Sequence, residues 1–324
     1  MTQSKTALIL GATGGIGHEV SVALNRHGWQ IKALHRDPAK AASRGNAFGI
    51  TWVKGDAMNA AEVTKAAQGV SVIVHAVNPP GYRNWAQWVL PMIDSSISAA
   101  RACGARIVLP GTIYNYGPDA FPTLSEDAPQ NPLTRKGKIR VELERRLQAA
   151  AATGVRSLIV RAGDFFGPSA GNNWFSQGLV RPGKPVTSIL YPGRRSTGHA
   201  WAYLPDLAET VAQLVDREST FGTLERFHFA GQWDADGTQM TAAIKAVVGR
   251  PNIPVRRFPW PLLTLLSPFK TLFREMREMR YLWQQPLRLS NDRLLSVLET
   301  EPHTPLDQAV RATLAGLGCL QEPG

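Results

Sequence analysis

At 324 residues, 44% hydrophobic and 19% charged, the chain is long and apolar enough for a sizeable globular core, and wholesale disorder is excluded. Its two cysteines, Cys103 and Cys319, carry no metal-ligand spacing, which argues against a disulfide scaffold or a zinc site and points to a reducing, cytoplasmic setting. The 36 Lys and Arg residues against 25 Asp and Glu give a net charge of +11, but no nucleic-acid motif accompanies it, so a solvated basic surface is expected and a nucleic-acid interface is not.

The first apolar run, TALIL at Thr6–Leu10, leads straight into glycines and reads as a strand, not as a signal peptide. Runs of strand length recur at 30–34, 50–55, 70–77, 106–111 and 155–163, each followed by glycine, proline or a polar turn. Between them, 17–28, 59–69, 88–104 and 138–154 have helical patterns closed by glycine. Strands alternating with helices predict an α/β fold, a Rossmann-type doubly wound parallel sheet. After residue 166 the composition turns to Trp, Pro, Gly and basic residues, before 199–215 returns to the core and 226–231 adds a strand. The expected division is a dinucleotide-binding domain at 1–166 and 198–230, with a smaller, mainly helical C-terminal substrate domain formed by 167–197 and 231–324. The apolar segment 259–268 is too short to span a bilayer. With the arginine-rich stretch that follows, it reads as a cap on the substrate domain with its apolar side inward, in preference to a membrane-surface helix.

The loop after the first strand is GATGGIG, residues 11–17. Gly11 permits a tight turn, Gly14 lets the backbone approach a pyrophosphate, and Gly17 lets the helix pack against the sheet; Thr13, Gly15 and Ile16 complete the loop. This context predicts a dinucleotide site. At the end of the second strand, where NAD-binding proteins usually place a carboxylate on the ribose, stand His35 and Arg36. A guanidinium there pairs with a 2′-phosphate, which favours NADP(H). NAD(H) stays open, because a small shift of the turn brings the Asp37 carboxylate to the ribose instead.

With these motifs in place, the chain resembles the extended short-chain dehydrogenase/reductase family, whose nucleotide-sugar epimerases and dehydratases share the plan. KGDAMN resembles the family's adenine contact and implies that role for Asp56. VIVHAVNPP resembles the segment lining the nicotinamide side, with Ala76, Val77 and Asn78. LPGTIYNYGP resembles the Ser/Thr motif and implies that Thr112 polarises a substrate oxygen. In the family a tyrosine passes the proton, and a lysine four residues later lowers its pKa and holds the nicotinamide ribose. In TRKGKIRVE the resemblance gives the lysine's place to Lys138 and the tyrosine's to Thr134, whose hydroxyl cannot replace a phenol. If the fifth strand stays extended past Thr112, Tyr114 and Tyr116 share its parity. Tyr114 is then the substitute proton donor, and Tyr116 stands where the family's residue is structural.

A second departure is His199, where many nucleotide-sugar enzymes of the family carry arginine; Arg194 and Arg195 are the alternative anion contacts. Arg161 is structural or substrate-facing, and Asp206 reads as a helix cap. Trp85, Trp88 and Trp174, with Asn172 and Asn173, fall where they overhang the cleft mouth or pack in the core. The expected function is an NAD(P)-dependent oxidoreductase or epimerase/dehydratase-like enzyme acting at a carbonyl or secondary alcohol of a small substrate, with Thr112, Tyr114 and Lys138 as its catalytic groups. The alternative is a non-catalytic NADP(H)-sensing regulator, as among the NmrA-like proteins. The resemblance also implies a homodimer.

Overall fold

The computed structural model describes residues 5–43, 49–79, 85–171, 173–268 and 271–320. In chain order its strands are β1 (Thr6–Leu10), β2 (Gln30–His35), β3 (Thr51–Lys54), β4 (Val72–His75), β5 (Arg106–Thr112), β6 (Thr123–Leu124), β7 (Ser157–Ala162), β8 (Asp164–Phe166), β9 (Ile189–Tyr191), β10 (His199–Tyr203), β11 (Leu224–Phe229), β12 (Gln232–Asp234), β13 (Val255–Arg257) and β14 (Arg288–Leu289). Seven of them form one parallel sheet in the order β3-β2-β1-β4-β5-β7-β11. The order reverses between β1 and β4, and in such sheets the crevice at that switch point, outside the carboxyl ends of the strands, is where ligands bind.

The helices α1 (Gly15–Arg26), α2 (Pro38–Ala42), α3 (Ala60–Ala66), α4 (Trp85–Cys103), α5 (Arg135–Ala151) and α6 (Leu204–Asp216) flank this sheet. On one face α1 packs on α6 over a core that includes Ile9, Val20, Leu24, Val160, Leu207 and Val211. On the other, α3, α4 and α5 pack in sequence over Leu8, Ile73, Ile93, Ile107, Leu143 and Leu147. Because both faces are covered, β1, β4 and β7 are buried along their whole length, which is why they read as continuous apolar runs instead of alternating ones.

Two local features depart from the sequence reading. Residues 113–115 form a 3-10 turn, not an extension of β5, because the Thr112 hydroxyl accepts the Tyr114 N–H at 3.3 Å and turns the chain at once. The fifth helix begins at Arg135, not at residue 138, because the Thr134 hydroxyl caps it by accepting the Gly137 N–H at 3.0 Å.

The remaining strands form a three-stranded sheet, β12-β10-β8, and the two-stranded pairs β9/β13 and β6/β14. They are joined by α7 (Gln239–Val247), α8 (Trp260–Leu266), α9 (Thr271–Glu278), α10 (Asp292–Leu298) and α11 (Leu306–Gly316). Here β10 pairs with β8 and β12 in the small sheet, while α6, into which it leads, lies on α1. A core rich in aromatic side chains fills this part, among them Phe166, Phe175, Trp201 and Trp283.

The packing of α1 on α6 is reinforced at their C-terminal ends. His27 Nδ1 lies 2.6 Å from Asp216 and its Nε2 2.9 Å from Glu209, while the Trp29 indole donates to Asp216 at 3.0 Å. Partial burial works against a charged imidazolium, but bonds to both carboxylates outweigh it and raise the His27 pKa above 6.5. A raised folded-state pKa stabilises fully below the unfolded value, and the contribution is lost as pH rises through the folded one. In thermal melts, His27→Gln is therefore expected to lower Tm at about pH 5.5, with the gap to the parent closing by about pH 9. A gap of equal size at both pH values would mean that the imidazolium charge contributes nothing.

Candidate active site

A cleft of about 710 Å³ opens at the carboxyl ends of the central strands. Of the residues expected to hold a dinucleotide, Gly11, Thr13, Gly14, Gly15, Ile16, His35, Arg36, Asp56, Ala76, Val77 and Asn78 line it. Gly11 has a φ of +94°, and a Cβ there would stand 2.6 Å from the Ala76 carbonyl oxygen, so only glycine lets the β1 turn pass the end of β4. Gly17 does not line the cleft; a Cβ on it would overlap the Gly11 carbonyl, which makes it the residue that lets α1 sit on the loop. Gly14 is the N-cap of α1 and brings no side-chain cap. The first helical N–H groups therefore face a ligand with the positive end of the helix dipole, the arrangement that suits a pyrophosphate.

Arg36 and Lys40 both line the cleft where the chain leaves β2, with His35 and Asp56. The Asp37 carboxylate is committed elsewhere, capping α2 by accepting the Lys40 N–H at 3.1 Å. The His35 ring lies 2.7 Å from the Asp37 carbonyl oxygen and edge-on to Trp52. Asp56 accepts the Met58 N–H at 3.0 Å, which steadies its carboxylate at the cleft wall. Lys40, on α2 four residues after Arg36, is a contact that the sequence reading does not include.

A second, smaller cavity of about 140 Å³ adjoins the first and shares Asn78, Phe165 and Asn173 with it. Thr112 and Tyr114 line it, together with Lys136, Arg140, Asp164, Gln177 and the apolar Trp85, Trp174, Met276 and Met279. Tyr116 does not join them. The 3-10 turn sends it into the interior, where its hydroxyl receives Arg161 Nη1 at 2.7 Å and meets His228 Nε2 at 2.9 Å, and burial raises its pKa.

Lys138 is exposed on α5 and is not among the residues lining the cavity. With the helix starting at its Thr134 cap, residues 136 and 140 share the inward face at a spacing of four, and 138 points away from it. Thr134 itself is buried, with its hydroxyl occupied as the cap. The Arg140 guanidinium lies 5.0 Å from the Trp85 ring centre, in the range of a cation–π contact. Behind it His75 is held neutral, since burial and the Arg140 charge bring its pKa down to about 3. One turn further along the same face, Glu144 binds the buried Arg161 at 2.6 Å, which makes Arg161 structural.

Other expected contacts are placed differently. His199 is buried 2.9 Å from Asp164 and stacked 3.8 Å from Trp283, so Asp164, and not the imidazole, reaches the cavity. Arg194 and Arg195 lie exposed in the loop after β9 and do not line the cavity. Asp206 sits in the first turn of α6 but ties down the distant chain, accepting both the N–H and the hydroxyl of Thr304 at 2.7 and 2.6 Å. Trp88 lines the larger cleft and Trp85 and Trp174 the smaller. Asn173 accepts the Ser176 N–H, while Asn172 lies outside the described residues.

Two glycine substitutions separate folding from binding. Gly11→Ala is expected to cost about 1–3 kcal/mol of stability through its positive φ and the contact with β4. Gly14→Ala, with φ at −92° and its added Cβ 3.3 Å from the Gly11 carbonyl oxygen, is expected to lower Tm less than Gly11→Ala and to weaken dinucleotide binding measured by fluorescence titration. Equal effects of the two on Tm would show that Gly14 is also a folding requirement.

Residues 11–173 match the family model described as NAD(P)H-binding. Over 182 residues, 51% of the chain, the sequence is 29% identical to a 3-diazoavenalumate denitrifying reductase of a Streptomyces species, of which it covers 57%. Over 102 residues, 31% of the chain, it is 31% identical to a short-chain dehydrogenase/reductase of Pestalotiopsis microspora, of which it covers 36%. The matched region thus spans about half or less of these curated relatives. Among solved structures, a UDP-glucose 4-epimerase from Bifidobacterium longum in complex with NAD+ and UDP superposes with a TM-score of 0.74 at 12% identity, covering 97% of each chain. A UDP-glucuronic acid 4-epimerase from Bacillus cereus, in complex with UDP-glucuronic acid and NAD, gives 0.73 at 14%, covering 96% of this chain and 98% of that one. At such identities the likeness is one of fold.

Proposed function

The chain belongs to the NAD(P)H-binding family, and on that premise we propose that it is an NADP(H)-dependent oxidoreductase acting at a carbonyl or secondary alcohol of a small, partly apolar substrate. The observation that carries this reading is the continuity of the dinucleotide cleft with a small cavity that holds Thr112, Tyr114 and Lys136 against an aromatic wall. A nicotinamide cofactor, held by the Gly11–Ile16 loop and the Ala76–Asn78 segment, would when bound supply or accept the hydride. Thr112 donates its hydroxyl hydrogen to the substrate oxygen, and Tyr114 or a water held beside it exchanges the proton. Lys136 and Arg140, instead of Lys138, supply positive charge where negative charge develops on oxygen.

The dimensions favour a small substrate. A cavity of about 140 Å³ falls below the roughly 300–1,000 Å³ typical of pockets for drug-sized ligands. The UDP-sugars named for the solved neighbours are therefore not carried over, and His199, engaged by Asp164 and Trp283, gives a diphosphate no arginine. The named activity of the Streptomyces relative supports reduction as the direction. Arg36 and Lys40 at the adenosine end, with Asp37 turned into a helix cap, favour NADP(H) over NAD(H). One observation favours the second reading, a cofactor-sensing regulator without turnover: the hydroxyl at Thr134 is consumed as a cap and leaves no phenol at the start of α5.

The deciding experiment follows deuterium from NADPH, labelled on either face of the nicotinamide, into the metabolites of a cell extract by mass spectrometry. Label entering one compound establishes hydride transfer. Replacing Lys136 by Met or Tyr114 by Phe should then slow it about 100-fold or more, with Lys138→Ala leaving it unchanged. Absence of transfer from both faces, with NADPH binding demonstrated, makes the sensor reading the correct one. Separately, Arg36→Ala and Lys40→Ala are expected to raise the Kd for NADPH about tenfold each while hardly moving that for NADH. Equal losses for both cofactors would remove the argument for NADP(H).

A further inference from the structure

The short helix α8 is apolar on both sides. Trp260 and Leu263 are buried, with Trp260 packed 5.9 Å from Trp174 and donating its indole N–H to the Pro192 carbonyl at 2.9 Å. On the opposite side Leu262, Leu265 and Leu266, at spacings of three and four, are 54%, 69% and 36% exposed. The sequence reading of an inward-facing cap accounts for the first set only. A helix that is hydrophobic all round belongs between two apolar environments, and here one of them is solvent.

The surroundings of this stripe are basic. Within residues 255–283, six Lys and Arg residues stand against two glutamates. Arg256 and Arg257 on β13 are exposed just before the helix, and Arg274 and Arg277 are exposed on α9, which packs on α8. Of the two glutamates, Glu278 accepts the Arg135 N–H at 3.2 Å. Met276 and Met279, from the same stretch, line the small cavity.

We infer that the exposed side of α8, flanked by these arginines, is a docking surface for an anionic lipid bilayer, on which the protein lies with its small cavity near the lipid. Leucines at helical spacing insert among acyl chains while the arginines meet lipid phosphates, the division of labour of an interfacial helix. A second copy of the chain is the poorer occupant, because a self-complementary contact through α8 would face arginines with arginines. Membrane spanning is not involved, as no helix among the described residues is long and apolar enough to cross a bilayer. This inference is independent of hydride transfer.

The test is co-sedimentation of the full chain with vesicles of phosphatidylglycerol and phosphatidylcholine, against vesicles of phosphatidylcholine alone. Binding is expected for the anionic vesicles, declining with salt. It should fall about tenfold or more in Leu262→Ser/Leu265→Ser, and also in Arg256→Gln/Arg257→Gln. Circular dichroism and NADPH binding of both variants, unchanged from the parent, show that the fold survives. The proposal is overturned by failure to bind anionic vesicles, by binding that the leucine variant retains, or by dimerisation in lipid-free sedimentation that the leucine variant abolishes.

Discussion

The architecture depends on one close approach. At the end of β1 the chain must turn into α1 while passing the carbonyl of Ala76 at the end of β4, and Gly11 makes this possible by adopting a φ of +94° without a Cβ. Gly17 then lets α1 rest on the Gly11 carbonyl, which brings the helix N-terminus over the switch point of the sheet. Phosphate recognition, the packing of α1 on α6 and the position of the cleft all follow from that geometry. A side chain at Gly11 would press on the end of β4, and one at Gly17 would press α1 off the Gly11 carbonyl.

The start of α5 is the second constraint, and it decides the chemistry of the smaller cavity. Thr134 caps the helix, and the cap sets its phase. In that phase Lys136, Arg140 and Glu144 follow one another down the inward face, while Lys138 meets solvent. The upper two bring positive charge to the cavity. The third pairs with Arg161 in a buried network completed by Tyr116 and His228. Burying so many polar groups is tolerable because they satisfy one another, and the result anchors β5, β7 and β11 beneath the cavity. Tyr116, expected to be structural, and Arg161, for which a structural and a substrate-facing role were both open, thereby belong to the scaffold.

The smaller cavity is walled by Trp85, Phe165 and Trp174 beside its polar groups, and the C-terminal third adds Met276 and Met279. Trp174 and Trp283 meet at 5.4 Å and Trp283 stacks on His199, whose other contact is Asp164. The ring that replaces an expected arginine is thus part of a packed cluster that orients one carboxylate toward the cavity. This wall continues through the contact of Trp174 with Trp260 into α8, whose outer face is also apolar.

Much of this was legible in the sequence. The sheet strands and their helices announce themselves by apolar runs of strand length, glycine closures and the GATGGIG loop, because these signals are local and each has one backbone solution. Most of the predicted dinucleotide contacts line the cleft for the same reason. The parts not legible depend on phase and on distant partners. One hydroxyl at Thr134 advances a helix start by three residues and exchanges Lys138 for Lys136 and Arg140, and one turn at Thr112 separates Tyr114 from Tyr116. Asp37 became a cap through the local Lys40 N–H, whereas Asp206 became a tether to Thr304, a role that requires a group which composition and spacing do not connect. The sequence by itself determined the order of the elements and the phosphate loop, since those obey short-range sterics. Which side chains face the cavity was decided only in the tertiary structure, where capping bonds, buried charge pairs and aromatic packing select a single rotation for each element.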